Sequence, residues 1–285
     1  LTFAQTAALG ALAGFTIYLG LPFGRLQLLG DRSRVALAMF SVGVLAFIFV
    51  DVMEHSFGIV EGAVQGFKAG DRGLGSALGL AGLLGGGFGI GLAGLAMTER
   101  RIRSMRPLPP IAGGAAGAVG ALGADQLARE QAAARARALR TGVTIAAAIG
   151  LHNFAEGLAI GVSASTGAIS LATVLIIGFA LHNATEGFGI VGPLGEVRPS
   201  WGWLGMVGLI GGAPTFLGAM LGYSVTSQPL ELAFYAVSGG AILYVIGEVW
   251  NAMRRYGHRE LGLWLLSIGF FVGVMTDLVV AYGGG

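Results

Sequence analysis

The sequence predicts an all-α integral membrane protein with eight transmembrane helices, and three observations carry that reading. The chain of 285 residues is 54% hydrophobic and 11% charged, with a mean hydropathy of +0.76. A soluble domain carries about twice that share of charge. Eight apolar stretches, at about 5–24, 35–57, 74–98, 141–164, 168–191, 201–223, 229–252 and 260–282, each reach the roughly 20 residues that a helix needs to cross a hydrocarbon core. Fifteen of the seventeen Lys and Arg residues lie in the connections after the first, third, fifth and seventh stretches. The positive-inside rule places those connections in the cytoplasm and both termini outside, and one span more or fewer would scatter the count.

Taken in order, the first span is followed by Arg25, Arg32 and Arg34. The second holds Asp51 and Glu54 beside Met53 and His55, one helical turn apart, where they can line a cavity. Glu61, Lys68, Asp71 and Arg72 follow at its outer end. The third span is rich in glycine, including Gly79, Gly82, Gly85, Gly86, Gly87 and Gly91, as is the sixth. Small side chains let membrane helices approach closely, and packing is the first account of them. The connection at about 99–140 opens with an Arg cluster and Arg106-Pro107-Leu108-Pro109-Pro110. Its apolar middle, Ile111 to Gly123, is too short to span. A mobile cytoplasmic loop is expected there, with a helix over Asp125 to Arg140. Glu231, Glu248 and Asp277 sit near the ends of the last two spans, where solvation or surface ion pairing accounts for them. The whole chain reads as one transmembrane domain, 1–285.

The fourth and fifth spans carry one phrase twice, thirty residues apart: Leu151-His152-Asn153-Phe154-Ala155-Glu156-Gly157 and Leu181-His182-Asn183-Ala184-Thr185-Glu186-Gly187. On a helix, His152 and Glu156 share a face, with Asn153 on its edge, and His182, Asn183 and Glu186 repeat it. As an interhelical clamp these groups gain only about 0.6 kcal/mol per hydrogen bond. Each buried carboxylate costs several. Imidazole nitrogen and carboxylate oxygen are instead good ligands for zinc-like ions, and the amide oxygens are harder donors that admit manganese or iron. With no cysteine in the chain, disulfides and thiolate ligands are excluded. No phosphate-binding loop is present to use ATP; the net charge of +2 says little alone, and no nucleic-acid partner is expected.

At these residues the chain resembles the ZIP family of divalent metal transporters, whose fourth and fifth spans carry His-Asn-x-x-Glu-Gly phrases; Gly239-Gly240-Ala241-Ile242-Leu243-Tyr244-Val245-Ile246-Gly247-Glu248-Val249-Trp250 in the seventh span adds to it. The resemblance implies eight spans in a 3+2+3 arrangement, two inverted three-span repeats flanking the central pair, and commonly a homodimer. It also implies import of divalent metal into the cytoplasm across a bacterial inner membrane. Zinc is the first candidate substrate, with iron, manganese and cadmium as others, and no cofactor is needed. Two features depart from the family pattern. Ala155 and Thr185 stand where proline usually precedes the glutamate. Ala213, before Pro214, stands where many members have the glutamate that completes a second metal site.

The expected path enters past Glu61 and Asp71 and binds between His152, Asn153, Glu156, His182, Asn183 and Glu186, with Asp51 or Glu54 contributing. It leaves past Glu248. The alternative, an intramembrane metal-dependent hydrolase, needs three firm ligands, one open position and asymmetric roles that a two-fold repeat fits less well. A metal sensor that does not transport is a third reading.

Overall fold

The structure is a computed structural model that describes residues 1–26, 30–104, 119–165, 167, 169–225 and 227–282. The described residues form helices and connections without strands. The helices are α1 (Phe3–Phe15), α2 (Phe23–Leu26), α3 (Asp31–Ala69), α4 (Leu74–Gly89), α5 (Leu95–Ser104), α6 (Val119–Ser165), α7 (Ile169–Val191), α8 (Trp201–Ser224), α9 (Gln228–Met253) and α10 (Arg259–Tyr282). A 3₁₀ turn, Thr16–Leu19, extends α1, and a π turn, Ile90–Gly94, joins α4 to α5.

Among the described residues, seven helical segments are long and apolar enough to cross a membrane: Phe3–Leu26, Asp31–Ala69, Leu74–Arg101, Gln126–Ser165, Trp201–Ser224, Gln228–Tyr256 and Arg259–Val279. The helix that carries the second phrase, α7, has 23 residues and packs against α1, α3, α6 and α10. Two helices are longer than their apolar stretches. The second-span helix continues past Glu61 to Ala69, stopped by Gly70 in the left-handed conformation (φ 84°). The helix expected over 125–140 forms and runs unbroken into the fourth span as α6, where Ala- and Arg-rich sequence favours helix. The rest of the expected loop, 105–118, lies outside the described residues.

The apolar window of Gln126–Ser165 is 72% buried, and those of Leu74–Arg101 and Arg259–Val279 are 17% buried, which places α6 at the centre and α4 and α10 at the periphery. Leu78, Ile90, Trp264, Phe271 and Met275 point outward, as a lipid-facing surface requires. The arginine-rich connections gather at one end: Arg25 donates to the Pro199 carbonyl, Arg135 to that of Arg198 and Arg255 to that of Pro193. At the opposite end Arg72 donates to Gln228, and the Tyr223 hydroxyl to the Leu1 carbonyl.

Backbone proximity sets the helix pairing. A Cβ on Gly157 of α6 would strike the Thr215 carbonyl and lie 2.9 Å from the Ala219 nitrogen of α8; one on Gly187 of α7 would lie 2.5 Å from the Ile17 carbonyl oxygen after α1. Small residues at these crossings let the helices touch backbone to backbone. Packing does not account for the whole third span: Gly87 and Gly91 press on α9, but Gly79, Gly82, Gly85, Gly86 and Gly89 face open space.

Candidate metal centre

Both phrases fall in mid-helix, and the packing of α6 against α7 turns them toward each other. His152 Nε2 lies 2.7 Å from Glu156 Oε1, the i,i+4 pair expected on one face. The same carboxylate oxygen pairs with His182 Nε2 of α7. One ligand atom from each of His152, Glu156 and His182 lies within 4.8 Å of the others. Glu186 Oε1 stands 3.9 Å from His152 Nε2. Asn153 Nδ2 donates to Glu186 Oε2 at 3.2 Å and to the Gly211 carbonyl of α8 at 2.9 Å, and Asn183 Nδ2 donates to the Ala13 carbonyl of α1 at 3.1 Å. His152 Nδ1 lies 3.1 Å from the buried Ser238 hydroxyl of α9.

The side chains of the centre are buried. His152, Asn153, Asn183 and Glu186 have no exposed surface, Glu156 is nearly buried, and His182 keeps a narrow exposed edge. Among the described residues, seven buried side-chain polar atoms have no hydrogen-bond partner, and five belong to the phrases: Asn153 Oδ1, Glu156 Oε2, Asn183 Oδ1, Glu186 Oε1 and His152 Nε2, the last of which meets Glu156 only as an ion pair. Orphaned buried polar atoms are rare and call for an explanation. Here they are imidazole nitrogen, carboxylate oxygen and amide oxygen, the donor types of a divalent-metal site.

A cavity of about 540 Å³ ends on the centre. His152, Glu156, His182 and Thr185 line it, and so do Asp51 and His55 of α3, Glu231 and Tyr235 of α9 and Asp277 of α10. Glu54 is exposed and outside that lining, as are Glu61 and Asp71; Glu248 is half-buried near the other end of α9. The cavity residues of α3 form the stripe Val44, Phe47, Ile48, Asp51, Val52 and His55. Helical periodicity puts these positions on one face, with Glu54, seven residues after Phe47, at its edge. That stripe is the signal in the sequence that brings in His55; nothing comparable points to Glu231 or Asp277, which meet α3 across distant stretches of chain.

A multi-pass membrane protein with a buried His/Glu candidate metal centre is the class that the fold and site define. Residues 120–246, which hold both phrases, match the sequence model of the ZIP zinc transporter family. The zinc transporter ZupT of Clostridium perfringens is 32% identical over 150 residues, 50% of this chain and 51% of that protein, so the chain spans about half the length of the curated relative it matches. Through that stretch, which includes both phrases, the chain is similar to the ZIP family of zinc transporters.

Proposed function

We propose that this protein carries divalent transition-metal ions, zinc first among them, across the bacterial cell membrane into the cytoplasm. The observation that carries the reading is the buried cluster of ligand atoms at His152, Glu156 and His182, with four unpartnered carboxylate and amide oxygens of the phrases beside it, at the floor of a cavity. Metal is cargo here. Its sites must bind an ion strongly enough to admit it and weakly enough to release it, which oxygen and imidazole donors without thiolate suit.

The chain crosses the bilayer eight times, with α7 as the fifth span, both termini outside and the arginine-rich end in the cytoplasm. Two inverted three-span repeats flank α6 and α7. The helix contacts support this: Asn183 and Gly187 meet Ala13 and Ile17 at one flank, and Asn153 and Gly157 meet Gly211 and Thr215 at the other, with the same spacing. The second crossing repeats in the same way. Gly91 and Gly240 press on the carbonyls of Val237 and Phe88, and Gly269 and Gly43 on those of Phe40 and Leu266. Under that pairing Asp51 corresponds to Glu248, and Asp277 to Glu99. An ion that enters past Asp51 and Asp277 therefore leaves past Glu248 and Glu99 when the repeats exchange conformations, the usual route to alternating access. The Tyr244 hydroxyl, which donates to Glu99 Oε2 at 2.5 Å, helps to close that exit in the present conformation. A homodimer is the proposed assembly.

Zinc uptake into proteoliposomes tests the reading: the reconstituted protein should fill vesicles with zinc without ATP, and iron, manganese and cadmium should compete. Vesicles no more permeable than protein-free ones would refute it.

A further inference from the structure

Beyond the centre, the cavity holds ligand-bearing side chains that the central site does not use. His55 of α3 and Glu231 of α9 face each other, with His55 Nε2 3.6 Å from Glu231 Oε1. That is too long for an N–H···O hydrogen bond. It suits two ligands of one ion, since donors at about 2.0–2.1 Å from a metal stand this far apart when the angle between them is roughly 120°. The Tyr235 ring, one turn further along α9, lies 5.0 Å from the imidazole and backs it. The His55 side chain is 60% exposed and that of Glu231 33%, so an arriving ion reaches both. Asp51, one turn deeper on the same face of α3, is within electrostatic reach of both His55 and Glu156. Asp277 completes an acidic lining that contains no Lys or Arg, and such a lining concentrates cations.

We propose that His55 and Glu231 form a second, outer divalent-metal site, where an arriving ion is held by two protein ligands and water before it passes Asp51 to the His152–Glu156–His182 centre. The role as a staging site rests on the transport reading; the binding itself does not. With only two protein ligands the site holds metal loosely, as a site that must hand its ion onward requires.

Cadmium titration of purified protein separates the two. In a His152→Ala/Glu156→Gln background one cadmium per chain should still bind, and adding His55→Ala or Glu231→Gln should weaken it at least about tenfold, the scale on which losing a supporting group already affects metal sites. A background protein that binds no cadmium, or binds it equally well with either change, overturns the proposal. Because His55 is exposed, its replacement leaves the helix packing intact. In otherwise wild-type protein, His55→Ala should raise the zinc concentration for half-maximal uptake about tenfold while leaving the saturated rate within about twofold, the pattern of a lost ground-state binding contact. An unchanged half-saturation value would overturn the staging role. Absence of uptake by the wild-type protein would instead refute the transport reading and leave the cadmium result standing.

Discussion

Ser238 fixes how His152 can act. Its hydroxyl occupies Nδ1 and leaves Nε2 directed at Glu156 and Glu186, and such outer partners orient a metal-binding imidazole. Ser238→Ala should weaken zinc binding by about 10–100-fold with the protein still monodisperse on gel filtration, and titration against wild type checks it. Charge limits the occupancy of the centre. Glu156 and Glu186 supply two negative charges and neutralise one divalent ion; a second would leave two positive charges uncompensated at membrane depth, which is costly. Crystals soaked in cadmium should therefore give one strong anomalous peak at the centre. Two full peaks within about 4 Å, the spacing of two-metal sites, would contradict the charge count, and Ala213→Glu should create the second. The departure at Thr185 has a local consequence as well: its hydroxyl donates to the His182 carbonyl at 2.7 Å, and α7 continues through the phrase without a proline.

At the scale of helices, the glycine of each phrase matters more than glycine content as such. Gly157→Leu would drive a side chain into the α8 backbone, and overpacking of this kind costs about 1–3 kcal/mol or more. Gly79→Leu meets open space. Melting followed by intrinsic fluorescence should show a clear loss of stability for the first and none for the second. Both glycines look alike in the sequence, because composition does not record which face meets a neighbour. The two phrases were legible for the opposite reason: imidazole and carboxylate inside hydrocarbon stand out wherever they point. The long α3 and the unbroken α6 were legible in part, since helix propensity runs on past the apolar stretches that mark the spans. The meeting of His55 with Glu231 was not, because it joins residues on separate helices through tertiary packing alone.

At the scale of the molecule, the proposed sidedness places the arginine-rich end in the cytoplasm. A cysteine at Gly70 should react with an impermeant thiol reagent in intact cells, and one at Ala134, beside Arg135 on the exposed start of α6, should be shielded. The reverse pattern would invert the direction of transport. The repeat correspondence also predicts a conformation in which the cavity opens at the other end: a cysteine at Ile48 should be reached from outside, and Tyr244→Phe, which removes a contact to Glu99, should increase labelling of a cysteine at Val245 from the cytoplasmic side. The central claim is that metal crosses through the His152–Glu156–His182 centre, and zinc flux into proteoliposomes of matched protein content tests it most directly. His152→Ala and Glu156→Gln should each remain monodisperse and lose nearly all wild-type flux; wild-type flux in both variants would contradict the account.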